Sequence, residues 1–212
     1  FLNEGYEIGS VGTVMPDVEV KIGENNEILL RGKTITTGYY KKPEATAAAI
    51  DRDGWFHTGD AGYLKDSHLY LTERIKDLFK TSNGKYISPQ ALETKLAIDR
   101  YIDQIAVIAD ERKFVSALIV PVYGFVKDYA KEKGIAYSNM DELLQHPKIQ
   151  ALFRARIDTL QQQFAHYEQV KRFTLLTEPF SMERGELTNT LKLKRSVVAK
   201  NYKGLIDKMY EE

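Results

Sequence analysis

Apolar and polar positions alternate at short range through the first third of the chain and give way to longer apolar runs and helical spacings after it. Val11, Val14, Val18, Val20 and Ile22 are interspersed with small or polar residues, Gly23-Glu24-Asn25-Asn26 is a turn cluster, and Glu27 to Arg31 leads back. This strand–turn–strand pattern predicts a small β-barrel or distorted sheet. Gly32 and Gly38 punctuate it, and a short helix is predicted over Ala45 to Ile50. Asp51-Arg52-Asp53-Gly54 is a turn, Trp55-Phe56 reads as a core anchor, and His57 as a structural turn residue. Ala61 to Thr72 alternates as a hairpin that turns at Lys65-Asp66-Ser67.

The second region opens with a short strand over Asp77 to Lys80 and a turn at Ser82-Asn83-Gly84-Lys85, whose Asn-Gly pair favours positive φ. Ser88 is a good N-cap with Pro89 at the first helical position, and Leu92 and Leu96 give that helix a buried face. Gln104–Ala109 and Val115–Val122 are apolar strands joined by Asp110-Glu111-Arg112-Lys113. A helix over Phe125 to Lys133 ends at Gly134, and Asp141 to Gln169 reads as mostly helical. Ile149, Leu152, Phe153, Ile157, Leu160, Phe164 and Tyr167 fall at helical spacing there and predict a core face. Arg172 to Thr177 is a further strand, Ser181 to Asn189 a mobile polar loop, and Val197, Val198, Tyr202, Leu205, Ile206 and Met209 mark a terminal helix. The class is α+β: a small β-rich part, then a compact α/β domain whose small sheet is flanked by helices.

Composition narrows the picture. A chain of 212 residues with 43% hydrophobic and 28% charged content holds one or two buried cores. Net charge is zero, but residues 1–75 carry 8 basic against 12 acidic side chains and residues 76–212 carry 22 against 18. A net positive second half suits phosphate-bearing partners and equally fits ordinary surface variation. Cysteine is absent, which excludes disulfides, thiol nucleophiles and cysteine zinc sites and fits a cytoplasmic protein. No apolar run approaches the roughly 20 residues of a membrane span. Basic residues are dispersed among acidic ones without a recognition motif, which argues against nucleic acid.

Three polar stretches carry the candidate chemistry: Trp55-Phe56-His57-Thr58-Gly59-Asp60, Arg74-Ile75-Lys76-Asp77-Leu78-Phe79-Lys80, and Thr188-Asn189-Thr190-Leu191-Lys192-Leu193-Lys194-Arg195. A carboxylate at Asp60 can accept hydrogen bonds from both hydroxyls of a ribose, or it can cap local N–H groups. Arg74 brings a planar fork suited to oxyanions, or it pairs with Glu73 at the surface. In this order the stretches resemble the adenylate-forming enzymes: acyl-CoA synthetases, luciferases and peptide-synthetase adenylation domains. The string from Gly32 to Thr46, G-x-x-x-x-x-G-Y-x-x-x-P-x-x-T, adds to the likeness. E-R-I-K-D-L-F-K-T and T-L-K-L-K-R are most similar to bacterial long-chain fatty acid–CoA ligases. The resemblance covers essentially the whole chain, yet the family's phosphate loop and its Y-G-x-T-E motif are absent. The expectation is therefore a C-terminal portion of a longer ligase, inactive by itself.

That resemblance implies residues 1–75 as a β-rich remnant of a large N-terminal adenylation domain and 76–212 as a mobile C-terminal domain, with Lys76 as the hinge. It implies that Asp60 and Arg74 bind nucleotide, and that Lys192 is catalytic, joining carboxylate and α-phosphate during adenylation; Lys194 is its rival. It implies that Asn83, Gly84 and Lys85 face the pantetheine during thioester formation, Lys85 being either a phosphate contact or a solvated lysine. Substrates would be a fatty acid, ATP and CoA, with Mg²⁺ held by ligands outside this chain. Leu191 and Asn83 stand where many relatives have glycine, and Asn189 where proline is frequent. Two alternatives stay open: a ligase that loads a carrier protein, and a noncatalytic nucleotide-binding or interaction module. Acyl chain length, oligomeric state and peripheral contact with the inner membrane face are open too.

Overall fold

The computed structural model describes residues 7–211; the first six residues of the expected N-terminal part, and Glu212, lie outside the described residues. The chain divides into two compact units, one ending at Leu78 and one beginning at Phe79.

The first unit is an antiparallel sheet of β1 (Gly12–Thr13), β2 (Val18–Ile22), β3 (Glu27–Gly32), β4 (Phe56–Lys65) and β5 (His68–Arg74), in spatial order β1-β5-β4-β3-β2. One exposed helix, α1 (Pro43–Ala49), is inserted between β3 and β4. Its core is small, with Ile28, Leu29 and Ala61 buried. Tyr63 and Tyr70 face each other across β4 and β5 and stack with ring centroids 4.8 Å apart, a cross-strand pair that reinforces the register. Two expectations change here. Trp55 is half-buried rather than core, lying under the Arg31 guanidinium at 4.5 Å and the Lys21 ammonium at 5.7 Å. His57, expected as a turn residue, lies instead in continuous strand from Phe56, because a bulge absorbs the polar residues that follow it without ending the pairing.

The second unit is layered. Strands β8 (Ile102–Ile108), β9 (Val115–Pro121) and β10 (Val170–Leu175) form a sheet with β9 central, antiparallel to β8 and parallel to β10. All of β9 is buried, which is why its sequence is a continuous apolar run and not an alternation. Val115, Ala117 and Ile119 pack with α2 (Pro89–Leu96), α3 (Tyr123–Glu132), α4 (Met140–Gln145) and α5 (Pro147–Leu160). Leu118 and Val120 face the other way, against Leu176, Phe180, Leu187 and the terminal helices α6 (Arg195–Asn201) and α7 (Lys203–Lys208). Ser116 is buried on that second face and is satisfied by the Tyr210 hydroxyl at 2.8 Å. A short ribbon, β6 (Phe79–Lys80) with β7 (Tyr86–Ile87), precedes α2.

The long helix expected to Gln169 ends at Leu160, so Tyr167 lies beyond it, 47% exposed and outside the core. The single terminal helix is broken at Tyr202 (φ −103°, ψ 17°), although Val198, Ile206 and Met209 are buried as their spacing requires.

Candidate functional site

In the first unit the sheet brings Asp60 and Arg74 together. They are register partners on β4 and β5, and Arg74 Nε donates to Asp60 Oδ1 at 3.0 Å. The guanidinium is mostly exposed and the carboxylate about a third exposed, so both are open to a ligand. The bulge that presents Asp60 is built from Thr58-Gly59-Asp60, with Gly59 at φ +71°, a value that suits glycine. Thr58 Oγ1 donates to the Ile28 carbonyl at 2.7 Å and accepts the Asp60 N–H at 3.1 Å. From β3, Glu27 accepts the Gly59 N–H at 3.0 Å on one oxygen and meets His57 Nδ1 at 2.8 Å with the other. His57 is thus a prop of this bulge. Lys76 is exposed in a single 3-10 turn, Ile75–Asp77, that follows β5.

The second unit carries the other candidates on two small hairpins. In the first, the Thr81 N–H donates to the Lys85 carbonyl at 2.9 Å and the Gly84 N–H to the Thr81 carbonyl at 2.8 Å. Thr81 Oγ1 also accepts the Lys85 N–H at 3.1 Å. Gly84 takes φ +74°, whereas Asn83 is not left-handed, so the expected Asn-Gly turn is a three-residue loop with its left-handed position on the glycine alone. Lys85 Nζ lies 5.6 Å from the centre of the exposed Tyr167 ring.

The second hairpin carries Lys192. The Thr188 N–H donates to the Lys192 carbonyl at 2.8 Å and the Leu191 N–H to the Thr188 carbonyl at 2.9 Å. Thr188 Oγ1 accepts the Lys192 N–H at 3.0 Å. Here the left-handed position is Leu191, at φ +59° and 67% exposed. Leu187 and Leu193 pair across the base of the hairpin. Lys192 and Lys194 are both exposed, but they are placed differently. Lys192 closes the hairpin, whereas Lys194 caps the start of α6 and its N–H is tied to the Glu186 carbonyl at 2.7 Å.

The stretch expected as a mobile loop, Ser181 to Asn189, is densely bonded. Glu186, 1% exposed, accepts the Ser181 N–H at 3.0 Å, Arg184 Nε at 3.1 Å and Asn201 Nδ2 at 3.1 Å. Burial pushes the Glu186 carboxyl up, but the bonds from Arg184, Asn201 and Ser181 outweigh it and hold the group below its ordinary 4.5. Arg195 is fixed by Glu93 of α2 through a bidentate pair at 2.6 and 2.7 Å. Glu93 also accepts the Val107 N–H at 2.8 Å, which covers part of the open edge of β8.

Three carboxylates that no motif singled out, Glu27, Glu93 and Glu186, therefore hold the elements that the motifs did single out. A glutamate's reach to a backbone N–H far away in sequence leaves no local pattern. Among the described residues no three His, Cys, Asp or Glu side chains are grouped so as to hold a metal ion. No helix among them is long and apolar enough to cross a membrane.

A family model described as "AMP-binding enzyme C-terminal domain" matches residues 76–212. Among curated proteins, the chain is 35% identical to a peroxisomal long chain acyl-CoA synthetase of Arabidopsis thaliana, over 96% of this chain and 32% of that protein. It is 32% identical to the long-chain-fatty-acid–CoA ligase FadD15 of Mycobacterium tuberculosis, over 97% of this chain and 34% of that protein. The chain thus spans about a third of the length of these relatives. Among solved structures it is similar to the adenylation domain of a carboxylate reductase from Mycobacterium chelonae, with TM-score 0.71 at 26% identity over 98% of this chain and 34% of that one. The fold is shared with an O-succinylbenzoate coenzyme A synthetase of Bacillus subtilis solved with AMP, with TM-score 0.57 at 23% identity over 90% of this chain and 35% of that one.

Proposed function

The chain belongs to the AMP-binding enzymes, with residues 76–212 as their C-terminal domain, and from that premise we propose that it is part of an ATP-dependent long-chain fatty acid–CoA ligase. The observation that carries the proposal is identity of 32–35% to long-chain acyl-CoA synthetases and ligases along nearly the whole chain. In the first step a carboxylate oxygen attacks the α-phosphorus of ATP, and pyrophosphate leaves. In the second the thiol sulfur of CoA attacks the acyl carbon, its proton is lost, and AMP leaves.

The residues divide along those steps. Asp60 accepts the ribose hydroxyls, with Arg74 holding the carboxylate and offering its remaining N–H groups to phosphate. Lys192 places a positive charge where negative charge develops during adenylation. Lys76 takes up the φ/ψ change of a domain rotation between the steps, and Asn83-Gly84-Lys85 then meet the pantetheine. Mg²⁺ neutralises triphosphate charge when bound. The described residues offer no cluster to ligate it, so no step here is assigned to it.

The test is to incubate the full-length protein with ATP and fatty acids of graded chain length, supplying CoA or a phosphopantetheinyl carrier protein as acceptor. Acyl-CoA with AMP and pyrophosphate is expected. A product on the carrier alone moves the assignment to carrier loading. Release of ADP, or no thioester with either acceptor, overturns the proposal.

A further inference from the structure

We infer that Glu186 is the positioning residue of the Lys192 hairpin, setting the height and direction of that lysine for the adenylation step. The inference rests on the role proposed above for Lys192. Glu186 acts through both its side chain and its main chain. The carboxylate is almost wholly buried and takes N–H donors from Ser181 at the start of the loop, from Arg184 within it and from Asn201 on α6. The carbonyl of the same residue takes the Lys194 N–H at 2.7 Å. One residue thus fixes the entry and the exit of the hairpin and ties both to a helix of the core.

Beyond Glu186, the hairpin is supported at its exit by the Arg195–Glu93 pair and at its base by an apolar contact. Leu187 next to Glu186 is buried and pairs with Leu193, but Leu191 at the tip is exposed and left-handed. A charged acceptor with several donors is among the stronger contacts a loop can have. Loss of the carboxylate leaves the Ser181 N–H, Arg184 and Asn201 without their shared acceptor. The chemical demand is steep as well, since a displacement of about 1 Å in a positioning group costs about 100-fold in rate. A buried carboxylate that only stabilised the fold would weaken both half-reactions together. One that positions Lys192 weakens adenylation and spares attack by CoA on a preformed acyl-adenylate.

The experiment has two arms. In the 212-residue chain, amide exchange is followed for Thr188, Leu191 and Lys194 in wild type, Glu186→Ala, Glu186→Gln and Asn201→Ala. In the full-length protein, fatty acid-dependent ATP–pyrophosphate exchange and thioester formation from preformed acyl-adenylate are measured for the same variants beside Lys192→Ala. The expected result is loss of protection confined to the hairpin. Adenylation is expected to fall about 100-fold in Glu186→Ala, less in Glu186→Gln and least in Asn201→Ala, with the thioester step within a few-fold of wild type. Asn201→Ala removes a single half-buried contact and keeps the series readable if the Glu186 variants fail to fold. Wild-type adenylation in a folded Glu186 variant overturns the inference, as does equal loss in both steps. If instead Lys192→Ala adenylates normally, the Lys192 reading itself has failed, whatever the exchange arm shows.

Discussion

The two hairpins of the second unit are built to one plan, with the same threonine and lysine at their ends, and differ at the left-handed residue before the lysine. Thr81-Ser82-Asn83-Gly84-Lys85 and Thr188-Asn189-Thr190-Leu191-Lys192 share the same pair of backbone bonds and the same threonine hydroxyl on the lysine N–H. Each presents a lysine immediately after a left-handed residue. In the first that residue is Gly84, which has no Cβ to strain; in the second it is Leu191. For a leucine the left-handed region costs about 1–2 kcal/mol, and it persists only where surrounding contacts enforce it. The supports differ accordingly. The first hairpin continues a β-ribbon and leans on the β8–β9 turn through Ser82 and Lys80. The second is enforced by Glu186 and by the Glu93–Arg195 pair. A strained hairpin and a relaxed one thus follow from the same local chemistry with different scaffolding.

Removing the scaffold of the second hairpin has the largest expected effect on stability. Arg195→Ala leaves Glu93 largely enclosed without its cation, and the expected loss is about 2 kcal/mol, between the values for surface and buried pairs. Chemical denaturation of the 212-residue chain reads it, and a cycle with Glu93→Gln isolates the pair. Next comes the exchange at the left-handed position. Gly84→Leu is expected to cost about 1–2 kcal/mol, seen as a lower midpoint for the second unit. Leu191→Gly is expected to do the reverse by about 0.5 kcal/mol, because strain relief of 1–2 kcal/mol exceeds the roughly 0.5–1 kcal/mol that glycine loses in chain entropy. A destabilised Leu191→Gly would show that the exposed leucine makes a contact the strain argument omits.

Acid offers a finer probe of the same scaffold. The Glu186 carboxyl lies below its ordinary 4.5 in the folded chain. Its contribution is therefore complete above pH 4.5 and is lost as pH falls through the lower folded value. Glu186→Gln should flatten the acid limb of the second unit's stability in that window and leave its slope at neutral pH unchanged. An acid limb identical to wild type would mean that the donors around Glu186 do not hold the charged form.

Much of the fold was legible from periodicity. The apolar runs at 104–109 and 115–122 became β8 and β9, Ser88-Pro89 became a true cap with the Ala91 N–H donating to Ser88 Oγ at 3.1 Å, and Leu92 and Leu96 are buried. Errors fell where tertiary contacts overrode a local signal. Trp55 looked like a core residue by type, but two cations from β2 and β3 cover it at the surface. Tyr167 kept helical spacing although the helix had already ended at Leu160. His57 looked like a turn residue because the bulge beside it uses the residues of a turn while preserving the ladder. The candidate site was legible as motifs, and the structure pairs Asp60 with Arg74. Its supports were not legible, since Glu27 and Glu186 act across 32 and 15 residues of sequence on Gly59 and Asn201.

The two hairpins are proposed to serve different half-reactions. The most direct measurement compares Lys192→Ala and Lys85→Ala in the full-length protein, timing acyl-adenylate formation and thioester formation from preformed acyl-adenylate separately. The expected result is a loss of about 100- to 1,000-fold in adenylation for Lys192→Ala with thioester formation retained, and for Lys85→Ala normal adenylation with weakened use of CoA. Equal losses in both steps for Lys192→Ala, or none in either, would contradict it.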